Sequence, residues 1–591
     1  MSAHHIIKIR QDVQQRRESN NNKESHTKHY RSITAFGYGN DRNTGASPLT
    51  IGRAETRKRQ DIIWQLNIMA TVYIHILSIA LCLSAGFQQG YIASVLNQPY
   101  LEITSFINES WIERTSQPLQ PDVLNVMWSL LNVCFPIATI FGQFLAAFLC
   151  RRIGRKGTAL LASGLYIPGV LLCAASKYFS PFFELLYFGR ILWSLANGIN
   201  SVNATVWIVE CAPTEIRGRM AAMQEFFMAF GSLVTQALGV PFSNAELWPM
   251  IFLPNVAFVV VSMAMFAFVW ESPQYIMEKL ADEHKVLITN SACCTPFTFL
   301  KFKKSYLLQA RLALAFYHGV GVRDKSLVSE MKECEGSAGK NNGKAKSSSC
   351  GIETEHDAMT VMFMPWKAQD FTSRVIRHAA WLGVMVKIAY VFSGARCLRA
   401  FSTFILHTMG GWSIDSALYG SFVIGLIRLP VTLVPVFLVD RLGRRPLMIV
   451  STLVSFLSLA TMMIGIDVGE DLKVATLLGL ATLLLINACG LGSVSRFYAA
   501  ELVPRSLLLP CVSTLNTFES LTKIAVEFAF YPVANIIGGQ SLLLFLVPTA
   551  VFIYFMWSHC PETSKRPVNE VLNDIASRKR LNINFPTYGN L

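Results

Sequence analysis

About twelve stretches of roughly twenty apolar residues each run through this chain, and they leave it few ways to fold. A hydrocarbon core about 30 Å thick needs about 20 apolar residues per helical crossing. Such segments lie near 68–94, 123–149, 158–176, 183–208, 218–240 and 249–270, then near 377–405, 416–439, 447–467, 473–495, 507–537 and 541–559. Six precede and six follow one long hydrophilic break at 271–376. Inside lipid no water is available to peptide groups, so a spanning segment of this length must be helical. The predicted fold class is an all-α membrane protein of twelve transmembrane helices in two parallel six-helix halves. Several segments contain Gly or Pro, which membrane helices tolerate because neighbours re-satisfy the freed backbone groups.

Charge supports the same reading. Only 15% of the residues are charged, where soluble domains carry about 25%. The net charge of +14 invites a nucleic-acid partner, but the placement of the charges excludes it. Arg16, Arg17, Arg53, Arg57, Lys58 and Arg59 sit in a polar tail, and other basic groups sit in short turns between spans. Arg151-Arg152 with Arg155-Lys156, and Arg441 with Arg444-Arg445, mark those turns as cytoplasmic by the positive-inside rule. The stretch between the first two spans holds Arg114 against Glu102, Glu113 and Asp122, and is expected outside. It carries the sequon Asn108-Glu109-Ser110, which makes Asn108 a candidate glycosylation site. Both termini are expected in the cytoplasm, in a multi-pass protein of the plasma membrane.

The expected organisation is a basic tail at 1–62, a first half at 63–270, a central cytoplasmic loop at 271–376, a second half at 377–560 and a tail at 561–591. No cleavable signal pattern precedes the first span, which is expected to act as its own insertion signal. Gly336 to Ser349 reads as a flexible linker, and Lys285 to Gln309 as either a surface helix or an insertion. The 13 cysteines are scattered and read as small buried hydrophobes. No nucleotide-binding loop, metal cluster or Ser-His-Asp arrangement is present, so no cofactor, metal or enzymatic activity is expected. The partners implied are a small-molecule solute and the lipid bilayer, and nothing in the sequence sets an oligomeric state.

Landmarks in the first half recur in the second. Arg152-Ile153-Gly154-Arg155-Lys156 returns as Arg441-Leu442-Gly443-Arg444-Arg445, Glu210 with Pro213 as Glu501 with Pro504, and Glu271 as Glu562. All three pairs share nearly one offset, which marks an internal duplication. An even number of spans per copy keeps the two copies parallel, as in major facilitator halves. A Gly between basic residues permits a tight turn, and the nearby carboxylates have arginines to pair with. Arg152, Gly154, Arg155, Glu210, Arg217, Glu271, Asp440, Arg441, Gly443, Arg444, Glu501 and Glu562 are therefore candidates for a cytoplasmic gate.

At these residues the chain resembles the sugar porter family of the major facilitator superfamily, which includes the facilitative glucose transporters. The likeness rests on Gly86-x-Gln88-x-Gly90-Tyr91, Gly189-Arg190, Glu210 to Gly218, Leu247-Trp248-Pro249, Glu271-Ser272-Pro273 and Pro561 to Lys565. It covers about 80–280 and 375–575. The resemblance implies a facilitator that works by alternating access, with hexose uniport expected. Ala147 and Arg151 depart from the family pattern in the first copy, and Leu508 falls where the second would offer an arginine. These departures point to an asymmetric or weakened lock.

The departures in the expected sugar site are larger. The family's amide-rich run in span seven is matched by Tyr390 to Arg396, in which Ser393 and Gly394 survive. The span-five Gln is matched by Glu225, with Gln236 kept, the span-eight Asn by Arg428 and the span-ten Trp by Arg496. Glu225, Gln236, Arg396, Arg428 and Arg496 are thus the substrate-path candidates. Ionised groups at membrane depth cost about 2.5–3.5 kcal/mol on insertion scales and normally face a partner or a water-filled path. Three arginines facing Glu225 and Glu519 leave excess positive charge. Two alternatives to hexose transport stand: an organic-anion carrier with a basic pocket, and a transport-inactive solute sensor. The residue after the first-span Gly-Tyr is Ile92, where proton-linked relatives place an acid, so uncoupled uniport or exchange is expected.

Overall fold

Helix length against bilayer thickness decides the architecture. At 1.5 Å per residue, the 55-residue helix Pro121–Ala175 would extend about 80 Å if straight, far beyond one crossing. It holds two crossings, broken at Gly154, whose φ of 83° and ψ of 175° leave helical space. The structure is a computed structural model that describes residues 72–212, 214–279, 296–318, 358–435, 442–504, 507–564, 566 and 568–581. Among these, eight continuous helices are long and apolar enough to cross a membrane. Pro121–Ala175, Arg444–Cys489 and Cys511–His559 each supply two crossings, and the more polar Glu184–Cys211 completes twelve.

The first half is α1 (Val72–Ser94), a short α2 (Tyr100–Thr115), α3 (Pro121–Ala175), α4 (Glu184–Cys211), α5 (Thr214–Phe242) and α6 (Pro254–Ala267). Between the halves lies α7 (Pro296–His318). The second half is α8 (Phe371–Phe392), the short α9 (Ala395–Ala400), α10 (Ile414–Val431), α11 (Arg444–Val468), α12 (Lys473–Cys489), α13 (Leu491–Glu501), α14 (Leu508–Ile537) and α15 (Leu543–His559). A last helix, α16 (Val568–Arg578), buries Val571, Leu572, Ile575 and Ala576. The halves meet where α3 packs on α14 and α5 on α10.

Large apolar side chains point outward, as a lipid solvent demands. Phe141, Phe144, Val551 and Trp557 are each more than 60% exposed, while Gln88, Asn197, Asn200 and Asn255 are fully buried. Of the stretch at 285–309, residues 296–309 lie in α7, in line with the helical alternative, and α7 goes on to bury Ala310, Ala313, Leu314 and Ala315. The Asn108 sequon lies on helix α2 instead of in a loop, with Asn108 Oδ1 accepting from the Leu119 N–H at 3.0 Å and Ser110 buried. Residues 1–62, the Gly336 to Ser349 linker, Asp440 and Arg441 lie outside the described residues. So do the side chains of Arg217, Arg496 and Leu508.

Glycines on α1 set its distance from α5, and through it the position of the polar centre. A Cβ on Gly90 would stand 1.9 Å from the Met228 carbonyl oxygen, and one on Gly86 2.7 Å from that of Gln224. Gly231 reciprocates, 2.3 Å from the Phe87 carbonyl oxygen. Overpacking of this kind costs about 1–3 kcal/mol. Gly90→Val is expected to lower the thermal unfolding midpoint in detergent, whereas Gly164→Ala, where an added methyl meets nothing, is expected to leave it unchanged. Equal midpoints for both variants would refute this close approach.

Candidate functional site

A chain break places the central charges. Helix α8 ends at Ser393, Gly394 takes φ 77°, and α9 restarts at Ala395. Arg396 and Arg399, three residues apart, project from this short segment as neighbours. Opposite them, α14 offers Glu519, Lys523 and Glu527 at four-residue spacing, which aligns all three on one helix face. Lys387 joins from α8. Glu519 accepts from Arg396 at 2.6 Å, Lys387 at 3.0 Å and Lys523 at 2.5 Å. Glu527 stands within coulombic range of Arg396, Arg399 and Lys523. Arg428 of α10 meets Glu225 of α5 at 3.6 Å, a contact between the two halves. Among the described residues, six buried cations (Arg190, Lys387, Arg396, Arg399, Arg428, Lys523) thus face three carboxylates, Glu225, Glu519 and Glu527.

Between these groups is a small cavity lined by Glu225, Tyr390, Arg399, Arg428, Leu484 and Asn487. It has room for about one water molecule. Asn487 is held by Ser393 Oγ, which donates at 3.1 Å, and itself donates to Ser455 at 2.8 Å. The neighbouring first-half core holds a set of neutral polar groups closed on itself. Gln88 and Asn255 exchange two amide hydrogen bonds of 2.9 Å, and Trp193 donates to Gln88 Oε1 at 3.0 Å.

At the end of the bundle carrying residues 97–104, the halves are joined directly. Asn97 Nδ2 donates to Ser402 Oγ at 2.9 Å, while its Oδ1 accepts from the Thr403 N–H at 3.1 Å. Gln236 Nε2 donates to Ser421 Oγ at 3.1 Å, and the hydroxyls of Tyr100 and Thr408 lie 3.0 Å apart.

The opposite end repeats one device in each half. Gly154 and Gly443 adopt φ of 83° and 87°, and the next helix starts immediately after each. Glu271 accepts from the N–H groups of Arg155 and Lys156 at 3.0 and 3.1 Å; Glu562 accepts from those of Arg444 and Arg445 at 2.8 and 3.1 Å. A carboxylate thus satisfies the first free N–H groups of a helix and favours its positive end. A Cβ on either Gly would fall within 2.5 Å (Gly154) or 2.8 Å (Gly443) of that carboxylate. Arg155 pairs with Glu210 at 2.8 Å and Glu278 at 2.9 Å, and Arg444 with Glu501 at 3.3 Å. Ser272 donates to Glu210 as Thr563 does to Glu501. Burial pushes the Glu271 carboxyl up, against the pull of the N–H groups it accepts from.

Residues 78–289 and 298–574 match the profile of the family described as sugar (and other) transporter. The chain belongs to that family. It is a multi-pass membrane transport protein with the major facilitator fold. Similar proteins include the facilitated glucose transporter member 1 of Gallus gallus, 23% identical over 82% of this chain and 90% of its own length. A facilitated glucose transporter homolog of Caenorhabditis elegans is 24% identical over 90% and 96%. Among solved structures, the proton:xylose symporter XylE bound to 6-bromo-6-deoxy-D-glucose superposes with a TM-score of 0.64 at 18% identity, over 85% of this chain and 99% of its own.

Within this transporter the residues singled out from sequence fall in different places. Glu225 and Arg428 line the cavity, Gln236 sits at the joined end, and Arg396 is held by Glu519. Arg155, Glu210, Glu271, Arg444, Glu501 and Glu562 form the two repeated turns around Gly154 and Gly443. Arg152 stands apart, exposed, with its guanidinium 5.4 Å from the Phe148 ring. Glu278, Lys387, Arg399, Lys523 and Glu527 were missed, although Glu519-x3-Lys523-x3-Glu527 inside an apolar span was a readable signal.

The two repeated turns are asymmetric, and the pairing in the first copy is the tighter one. Arg155 is 4% exposed between two carboxylates, while Glu501 opposite Arg444 is 31% exposed. Breaking a buried pair costs about 3–5 kcal/mol, and an exposed one about 1 kcal/mol or less. Arg155→Gln is therefore expected to lower the thermal midpoint well below that of Arg444→Gln, and the reverse order would contradict this asymmetry.

Proposed function

We propose that this transporter carries a hexose-sized solute by alternating access, as a uniporter or exchanger without ion coupling. The observation that carries this reading is a buried polar cavity at the interface of two halves that are hydrogen-bonded to each other at one end. A hexose needs far more room than one water, so the halves must part to admit it. Amides and hydroxyls near the interface (Asn97, Gln236, Ser421, Asn487) donate and accept, as recognition of a polyol requires. The names of the glucose-transporter relatives support the hexose class. The apolar Ile92 after Gly90-Tyr91 favours transport without a proton.

The end with Arg151, Arg152, Arg155, Arg444 and Arg445 is assigned to the cytoplasm, which puts both termini there and the Asn97 end outside. On this reading the outer end is closed. The solute path runs past Glu225, Gln236, Arg396, Arg428 and Arg496. The Gly154 and Gly443 turns, with Arg152, Arg217, Asp440 and Arg441 nearby in sequence, form the inner gate.

Purified protein in liposomes is expected to take up labelled D-glucose saturably. In an Asn97→Cys/Ser402→Cys double variant, a short thiol cross-linker is expected to abolish that flux and leave either single variant active. Uptake that persists after complete cross-linking rejects alternating access at this end, and absence of flux for D-glucose and every other hexose-sized solute rejects the carrier assignment.

A further inference from the structure

Arg399 differs from every other cation in the central cluster. It is 3% exposed, it lines the cavity, and its Nε and Nη2 make no hydrogen bond. Arg396, Lys387 and Lys523 are all engaged by Glu519, and Arg428 stands against Glu225. Nε–H and Nη2–H form one edge of the planar guanidinium, two parallel donors at the spacing of two oxygens on one carbon or phosphorus. A neutral hydroxyl satisfies one of them, whereas a carboxylate or phosphate satisfies both and also neutralises the charge.

Among the described residues no carboxylate is hydrogen-bonded to that edge, although Glu225 and Glu527 both stand within coulombic range of Arg399. The cavity's own acid, Glu225, faces Arg428, and Glu527 stands within coulombic range of Arg399 without a hydrogen bond to it. Among the described residues the cluster keeps more cations than carboxylates. An excess of positive charge in a site sealed by hydrocarbon favours an anionic occupant.

We infer that the solute is an organic anion of hexose size, bearing a carboxylate or phosphate that the Nε–Nη2 edge of Arg399 binds in bidentate fashion. This rests on the carrier reading above and narrows its substrate class. Asn487 and Tyr390 on the same cavity wall contact the remainder of the solute. Arg428 adds a second positive charge when its distance from Glu225 grows.

The test uses the full-length protein in liposomes, with D-glucuronate and D-glucose 6-phosphate as anionic probes and D-glucose as the neutral one. Anion uptake is expected to exceed glucose uptake and to rise when a potassium–valinomycin gradient makes the lumen positive. Arg399→Gln is expected to lower anion uptake about ten- to a hundredfold, the loss of a charged hydrogen-bonded pair, and to lower glucose uptake by a smaller factor. Arg399→Lys, which keeps charge but loses the fork, is expected to fall between. Binding of each probe to detergent-purified wild type, read as a shift in thermal midpoint, checks the inference independently of any variant's folding. Glucose flux that neither anion competes with, or equal loss of glucose and anion flux in a folded Arg399→Gln protein, overturns the anion inference alone. Anion binding without flux of any probe upholds the site and overturns the carrier reading. Neither binding nor flux overturns both.

Discussion

The carboxylate of Glu519 takes three cations at once, Arg396 at 2.6 Å, Lys387 at 3.0 Å and Lys523 at 2.5 Å. Much of the second half depends on that contact, because it ties α8, α9 and α14 at membrane depth. Two like charges about 4 Å apart repel by about 4 kcal/mol at an effective dielectric constant near 20. Without the carboxylate, three mutually repelling cations would remain in a site that lipid and apolar side chains keep dry. The break at Gly394 is part of the same arrangement. It turns α9 so that Arg396 reaches Glu519 and Arg399 reaches the cavity wall, which a straight continuation of α8 would not do.

The two halves share their ends and differ in their cores. Both ends need the same thing, a sharp turn into a helix whose first N–H groups lack partners, and both solve it with Gly, Arg and a distant Glu. That requirement comes from the backbone, so the solution survives duplication. The cores answer to different demands. In the first, Gln88, Asn255 and Trp193 satisfy one another, the buried Arg190 donates to the Ile92 and Leu131 carbonyls, and the packing is tight through Gly86, Gly90 and Gly231. The second carries most of the buried charge. That imbalance places the selectivity chemistry mainly on one side of the interface.

The twelve crossings and the repeated turns were legible because each rests on a local rule: apolar length against bilayer thickness, or a Gly-basic motif with an acid one helix away. Pro296–His318 was harder, since Lys301, Lys303 and Lys304 interrupt its first half and the buried Ala310, Ala313, Leu314 and Ala315 come only after them. The centre was only partly legible. Arg396 and Arg428 stood out as charges in apolar spans, and Glu519 was visible as a partner. Arg399 was not, because reading the seventh span as one continuous helix assigns its face wrongly. A single residue with positive φ resets the helical phase, and no periodicity argument detects that. Lys387 looks like an isolated interruption until the fold brings Glu519 beside it.

These features together constrain how opening would change the site. Lys387, Arg396, Lys523 and Glu519 all belong to the second half, so they travel together when the halves part. The Glu225–Arg428 contact bridges the halves at 3.6 Å, already longer than a hydrogen bond, and parting lengthens it. The charge seen by an entering solute therefore changes with conformation. In the closed arrangement Glu225 offsets Arg428, and in the parted one Arg428 and Arg399 face the widened space with that offset reduced. An anion entering there would replace Glu225 as the counter-charge, and returning Glu225 would in turn favour its release.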